Sequence, residues 1–173
     1  MFLTKKKEKK INFTIVLILM ICCLSLFIFS SETQKGWKTY KVDKWSISFP
    51  GNWNSDEKAG VWWPGEGNLN MGRPAISVHI GGMPLLPGRS FDERVKSRMN
   101  AEPKDKKKVT VCGLSGFRCN WEFNKIKHLG IFIEEKIGGG MSVIRFVDCQ
   151  APVNVYAKHQ ADFENIIASF SCK

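Results

Sequence analysis

The first 31 residues constrain this chain more than any other stretch. Lys5, Lys6, Lys7, Lys9 and Lys10 stand directly before an uncharged apolar run from Ile11 to Ser31. As a helix those 21 residues would rise about 31 Å, the thickness of a bilayer's hydrocarbon core. Thirteen of them are Leu, Ile, Phe or Val, each favouring insertion by roughly 0.3–0.6 kcal/mol, which outweighs Asn12, Thr14 and Ser25. The sequence therefore predicts a single-pass membrane helix.

Charge sets its orientation. Five lysines against Glu8 precede the run, while only Lys35 and Lys38, opposed by Glu32, follow closely. The positive-inside bias makes residues 1–10 a cytoplasmic basic tail and 11–31 a signal anchor. Residues 32–36 become a tether and 37–173 an extracytoplasmic domain. Two other fates of the run stay open. Ile28-Phe29-Ser30 is the best candidate cleavage site, and Cys22 after Leu19-Met20-Ile21 faintly resembles a lipoprotein box. Each wants a small residue where an isoleucine stands, so an uncleaved anchor is the expectation.

What remains is the size of one domain with one core. Five of the 26 basic and one of the 16 acidic residues precede the run, so the chain beyond it carries a net charge of +6. The excess concentrates in Lys104, Lys106, Lys107 and Lys108, interrupted by Asp105. Such a run reads as a solvated loop, with anionic lipid or an acidic partner as the sharper alternative. An extracytoplasmic domain is a poor candidate for nucleic acid.

Cys112, Cys119, Cys149 and Cys172 lie beyond the membrane run, an even number that in an exported domain suggests two disulfides with three possible connectivities. No C-x-x-C occurs and the histidines are scattered, so no metal or cofactor is expected. The hairpin turns, placed at the glycines, bring Cys119 opposite Glu135 and leave Cys149 about 20 Å further along. The expected pairs are then Cys112–Cys119 and Cys149–Cys172, the first requiring a bulge or strong twist.

Residues 37–42 and 45–50 read as strands around a turn at Asp43-Lys44, because Trp45, Ile47 and Phe49 alternate with polar residues. Val61-Trp62-Trp63 and Ala75–Ile80 give two more strands. Ser90 and Glu93 form a capping box ahead of Phe91, Val95 and Met99, the apolar face of a helix. A four-stranded meander is predicted at about 108–112, 116–124, 129–137 and 141–148. Phe163, Ile166, Ile167 and Phe170 recur as the core stripe of a C-terminal helix. The class is α+β: an antiparallel β-sheet flanked by helices, behind the N-terminal transmembrane helix.

Three stretches carry the family signal: Tyr40 to Trp53 (YKVDKWSISFPGNW), the Gly113 hairpin, and Phe163 to Phe170 (FENIIASF). Over about residues 37–171 the chain resembles the PsbP-like family, whose fold is shared with a eukaryotic Ran-binding import factor. The resemblance implies an α/β/α sandwich in extracytoplasmic or lumenal proteins that mostly bind other proteins. It brings no metal-binding residue to this chain.

Catalytic signatures are missing. Gly113-Leu114-Ser115-Gly116 is a hairpin turn rather than a nucleophile elbow, His79 reads as a strand-end histidine, and Glu134 and Glu135 face opposite ways on one strand. Trp45 and Trp53 belong to the core. Trp62 and Trp63 are adjacent in a strand, so one ring should leave the core and could anchor a partner or the bilayer surface. The functional expectation is a membrane-anchored extracytoplasmic protein-binding or assembly module without catalytic activity. Its contact would combine Trp62, Trp63 and the Lys104–Lys108 segment, and its partner would be an envelope or membrane protein. The alternative is a small hydrolase or metal-dependent enzyme whose site only the fold assembles.

Overall fold

Tight turns between alternating strands organise the chain. The computed structural model describes residues 36–65, 69–70 and 73–172. The expected basic tail, anchor and most of the tether lie outside them. Among the described residues no helix is long and apolar enough to cross a membrane. β1 (Trp37–Val42) and β2 (Trp45–Pro50) form the first hairpin, turning at Asp43 with φ 52°. Alternation buries Trp45, Ile47 and Phe49, as their spacing predicts.

β3 (Trp53–Asp56) and β4 (Val61–Pro64) follow, then a short ribbon of β5 (Leu69–Asn70) and β6 (Arg73–Pro74), then β7 (Ser77–Leu85). β7 is longer than the sequence pattern suggests. It continues through Gly81, Gly82 and Pro84 because β4 pairs with it only through Val61 and Trp62, so Pro84 meets no neighbour on that side. Helix α1 (Phe91–Met99) starts at the expected capping box. Ser90 Oγ accepts from the Glu93 backbone N–H at 3.2 Å, and Glu93 Oε2 accepts from that of Ser90 at 2.9 Å.

The meander comprises β8 (Lys104–Val111), β9 (Leu114–Phe123), β10 (Ile126–Gly138) and β11 (Met141–Pro152), followed by helix α2 (Val153–Ser169) and β12 (Ser171–Cys172). The first two turns hold two residues each, Cys112-Gly113 and Asn124-Lys125, all at positive φ. The large sheet has seven strands in the order β3-β4-β7-β11-β10-β9-β8, and β1-β2-β12 form a smaller one. Every pairing among the described residues is antiparallel.

Each face of the large sheet is covered by one helix. On one face Val78, Leu129, Ile131, Val147 and Cys149 pack with Phe163, Ile166 and Ile167 of α2 and with β2. On the other, Phe117, Trp121, Phe132, Ile144 and Phe146 pack with Val95 and Met99 of α1. The α+β class with an antiparallel sheet between helices is thus the observed one.

Two expectations are corrected here. The lysine-rich segment is a strand, β8, rather than a loop, because its backbone pairs with β9 from Lys104 to Val111 across one bulge. The cysteine pairing also differs. The β9–β10 turn sits at Asn124-Lys125, which sets Cys119 opposite Gly130 rather than Glu135. Cys119 therefore points into the α1 layer, 1% exposed, with its thiol 3.8 Å from Met99 Sδ. Cys149, opposite Leu129 in β11, points into the α2 layer. These two lie on opposite faces of the sheet and neither is bonded. Cys112 sits in the β8–β9 turn and is joined instead to Cys172 of β12, with Cα atoms 5.8 Å apart.

Candidate functional site

The residues expected to make one contact surface are placed at two ends of the sheet. Trp62 lies in β4, next to one edge, and β8 is the opposite edge. Five strand spacings separate them, about 24 Å. Trp62 is a core residue, 4% exposed, stacked on Phe49 with ring centroids 4.6 Å apart and tilted against Tyr40 at 4.7 Å. Trp63 is half-buried, on the other face of the same strand. The structure therefore does not bring the tryptophans beside the lysines.

β8 itself has a distinct geometry. Lys104 through Lys108 are all exposed. β8 closes the strand order, so among the described residues its outer backbone edge has no sheet neighbour. A bulge between Lys104 and Lys107, with Asp105 at φ 51°, twists the strand where the charge is densest. Lys106 is held inward, its ammonium 2.7 Å from Asp92 on α1 and 4.1 Å from the Phe117 ring centroid. Lys107 stands opposite Arg118, a like-charge pair relieved by Glu164 of α2, which lies 2.5 Å from Arg118. Lys104, Lys107 and Lys108 remain as cations along the edge.

A second polar group, invisible as a motif, lies under α1. His128 Nδ1 and Asp148 Oδ1 are 2.9 Å apart, and Arg98 reaches from α1 to 3.7 Å from Asp148 Oδ2. The His128 ring stacks on Trp121 with centroids 4.6 Å apart, and the Arg98 guanidinium covers the Phe146 ring at 3.6 Å. Burial lowers the Arg98 pKa and the nearby Asp148 carboxylate opposes that shift. Beside it, Ser77 Oγ lies 2.9 Å from His79 Nε2 and accepts from Gln150 Nε2 at 3.1 Å. Asp148 is level with His79 in the ladder, so Ser, His and Asp do converge. Their geometry is unsuited to nucleophilic attack: Ser77 is wholly buried and the Asp148 carboxylate is aimed at His128 and Arg98. What the array does is clamp α1 onto the sheet. Its sequence signal is weak, namely polar residues at positions where the two-residue alternation of β10 and β11 demands apolar ones.

A third polar centre joins the two sheets. Glu135 takes Lys44 at 2.6 Å from the β1–β2 turn and accepts from Arg145 Nε at 2.7 Å. Burial alone would raise its pKa; the hydrogen bonds from Lys44 and Arg145 outweigh it and hold the carboxyl below the usual range. Among the described residues no three His, Cys, Asp or Glu side chains group as a metal ion would require.

Solved structures with a similar fold include two that align over most of both chains. The solution structure of cyanobacterial PsbP (CyanoP) from Synechocystis sp. PCC 6803 aligns with a TM-score of 0.52 at 10% identity, over 86% of this chain and 99% of that one. LpqN of Mycobacterium tuberculosis, involved in cell envelope biogenesis, aligns with a TM-score of 0.52 at 9% identity, over 78% and 89%. The fold is PsbP-like. No family model and no curated protein matches the chain.

Proposed function

We propose that residues 37–173 form a non-catalytic protein-binding module, carried beyond a membrane by the apolar run at 11–31, whose contact is the basic edge strand β8. One observation carries the reading: exposed lysines lie along a sheet edge that the described residues leave unpaired. An open edge presents backbone donors and acceptors to any extended segment. Lysines and a bulge make it hostile to a second copy of itself and receptive to an acidic strand, so charge selects the partner. An envelope or membrane protein with an exposed acidic segment fits that description. The Cys112–Cys172 disulfide supports an oxidising compartment for the domain.

A photo-crosslinking residue at position 107 of the full chain, in native membranes, should yield a discrete adduct. That adduct should disappear when Lys104→Glu and Lys108→Glu are added. The same probe at Gln160, exposed on α2, should give none. No adduct at 107, or one indifferent to charge reversal, overturns the β8 assignment. Turnover of a substrate by the purified protein, lost on changing one His, Asp or Glu, overturns the non-catalytic reading.

A further inference from the structure

A cavity of about 230 Å³ lies where the small sheet meets the β3–β4 turn. Tyr40, Trp45, Trp62 and Phe170 give it aromatic walls, and Phe146, whose ring belongs to the α1 layer, also borders it. Gly81 and Gly82 line it too. A Cβ at Gly81 would come within 2.9 Å of the Phe146 ring, and one at Gly82 within 3.0 Å of Val143 and 3.3 Å of a terminal nitrogen of Arg145. β4 stops pairing with β7 before Gly81, so the free stretch of the β7 edge borders the cavity.

The polar groups around it are unevenly matched. Trp45 is 6% exposed, and its indole Nε1–H is buried without a hydrogen-bond partner among the described residues. That N–H is closed off from the cavity as well as from solvent, so the polar contacts of a bound molecule fall to the basic side chains. Arg145 lines the cavity and gives Nε to Glu135, which leaves its terminal nitrogens. Lys58 stands exposed on the turn. Counting Lys44 and Glu135 with the lining residues Lys58, Arg145 and Glu57, cations exceed carboxylates by one. An aromatic box of this kind otherwise suits a cationic ligand, but the positive charge here disfavours one.

We propose that this cavity binds a small planar aromatic acid, its ring among the aromatic side chains and its carboxylate toward Arg145 and Lys58. The cavity is smaller than the roughly 300–1,000 Å³ of drug-sized pockets, which limits the ligand to one or two rings. This goes beyond the β8 contact and depends on none of its residues.

The probe pair is indole-3-acetate and neutral indole, titrated by saturation-transfer NMR against the full chain in nanodiscs. The acid should bind at least tenfold more tightly than indole. Lys58→Glu should weaken the acid about three- to tenfold and leave indole unchanged. Ala59→Trp, on the exposed turn that borders the cavity, should plug it and weaken both probes at least tenfold at an unaltered melting temperature. Equal affinity for acid and indole, or an acid indifferent to Lys58→Glu, overturns the proposal. So does a folded Ala59→Trp variant that binds like the parent.

Discussion

The Cys112–Cys172 disulfide fastens the turn of the β8–β9 hairpin in the large sheet to the last strand of the small one. It spans 60 residues of sequence, so it removes a large loop-closure entropy from the unfolded chain, about 4 kcal/mol in the chain-entropy view. Cys172→Ser, or reduction of the parent, should lower unfolding stability by about 3–4 kcal/mol in chemical denaturation. Non-reducing peptide mapping should return one linked pair, 112 with 172. Cys119 and Cys149 should resist alkylation until the protein unfolds, since burial pushes the Cys119 thiol up to about 12 and that of Cys149 also upward. A peptide linking Cys112 to Cys119 would contradict the fold at the β8–β9 turn.

Trp62→Ala should act on stability rather than on a contact. The ring stacks on Phe49 and meets Tyr40 at a tilt, and truncating a buried tryptophan costs about 3–5 kcal/mol. Trp63→Ala, at a half-buried position, should cost distinctly less. Thermal melts of the two variants decide the matter: equal and small shifts would return Trp62 to the surface.

Local pattern made much of this fold legible. The β1–β2 hairpin, the Ser90 capping box and the apolar stripe of α2 are properties of residues within one or two turns of one another, and each appears where its spacing places it. Register was harder. Placing the β9–β10 turn too late and too broadly moved Cys119 from Gly130 to the region of Glu135, and the disulfide pairing went with it. A partner such as Cys172 in β12 is fixed by how two sheets meet, which no local spacing encodes. The lysines of β8 misled for a related reason. Their charge suits solvent, and only pairing with β9 reveals a strand. The Arg98–Asp148–His128 array combines a helix with two strands, so no stretch of sequence contains it.

Gly130 illustrates that long-range constraint. It sits between Cys119 and Asp148 in the ladder, and a Cβ there would lie 2.7 Å from the Trp121 ring and 3.0 Å from that of Phe132. Trp121 could retreat only by giving up its stack on His128. Gly130→Ala should therefore destabilise by about 1–3 kcal/mol, the usual cost of overpacking. It should also disturb the His128 ring resonances in NMR spectra. A variant of parental stability with unshifted His128 signals would mean that the layer under α1 is looser than the structure shows.

Glu135 predicts how the domain responds to acid. Its carboxyl is held below the ordinary range because the hydrogen bonds from Lys44 and Arg145 outweigh burial, which acts the other way. The unfolded chain keeps an ordinary glutamate near pKa 4.3. With the folded value the lower of the two, the unfolded state takes up the proton first. The stabilisation is then present in full above that ordinary value and is lost as the pH falls through the folded one. Glu135→Gln should cost about 1–2 kcal/mol at pH 7, since two charge-assisted hydrogen bonds lose their carboxylate. The gap between parent and variant should close below pH 4. Denaturation midpoints measured from pH 7 to pH 3 provide the test. A gap that persists at pH 3 would show that the variant's loss comes from packing at the junction of the two sheets, and that the ion pairs contribute little.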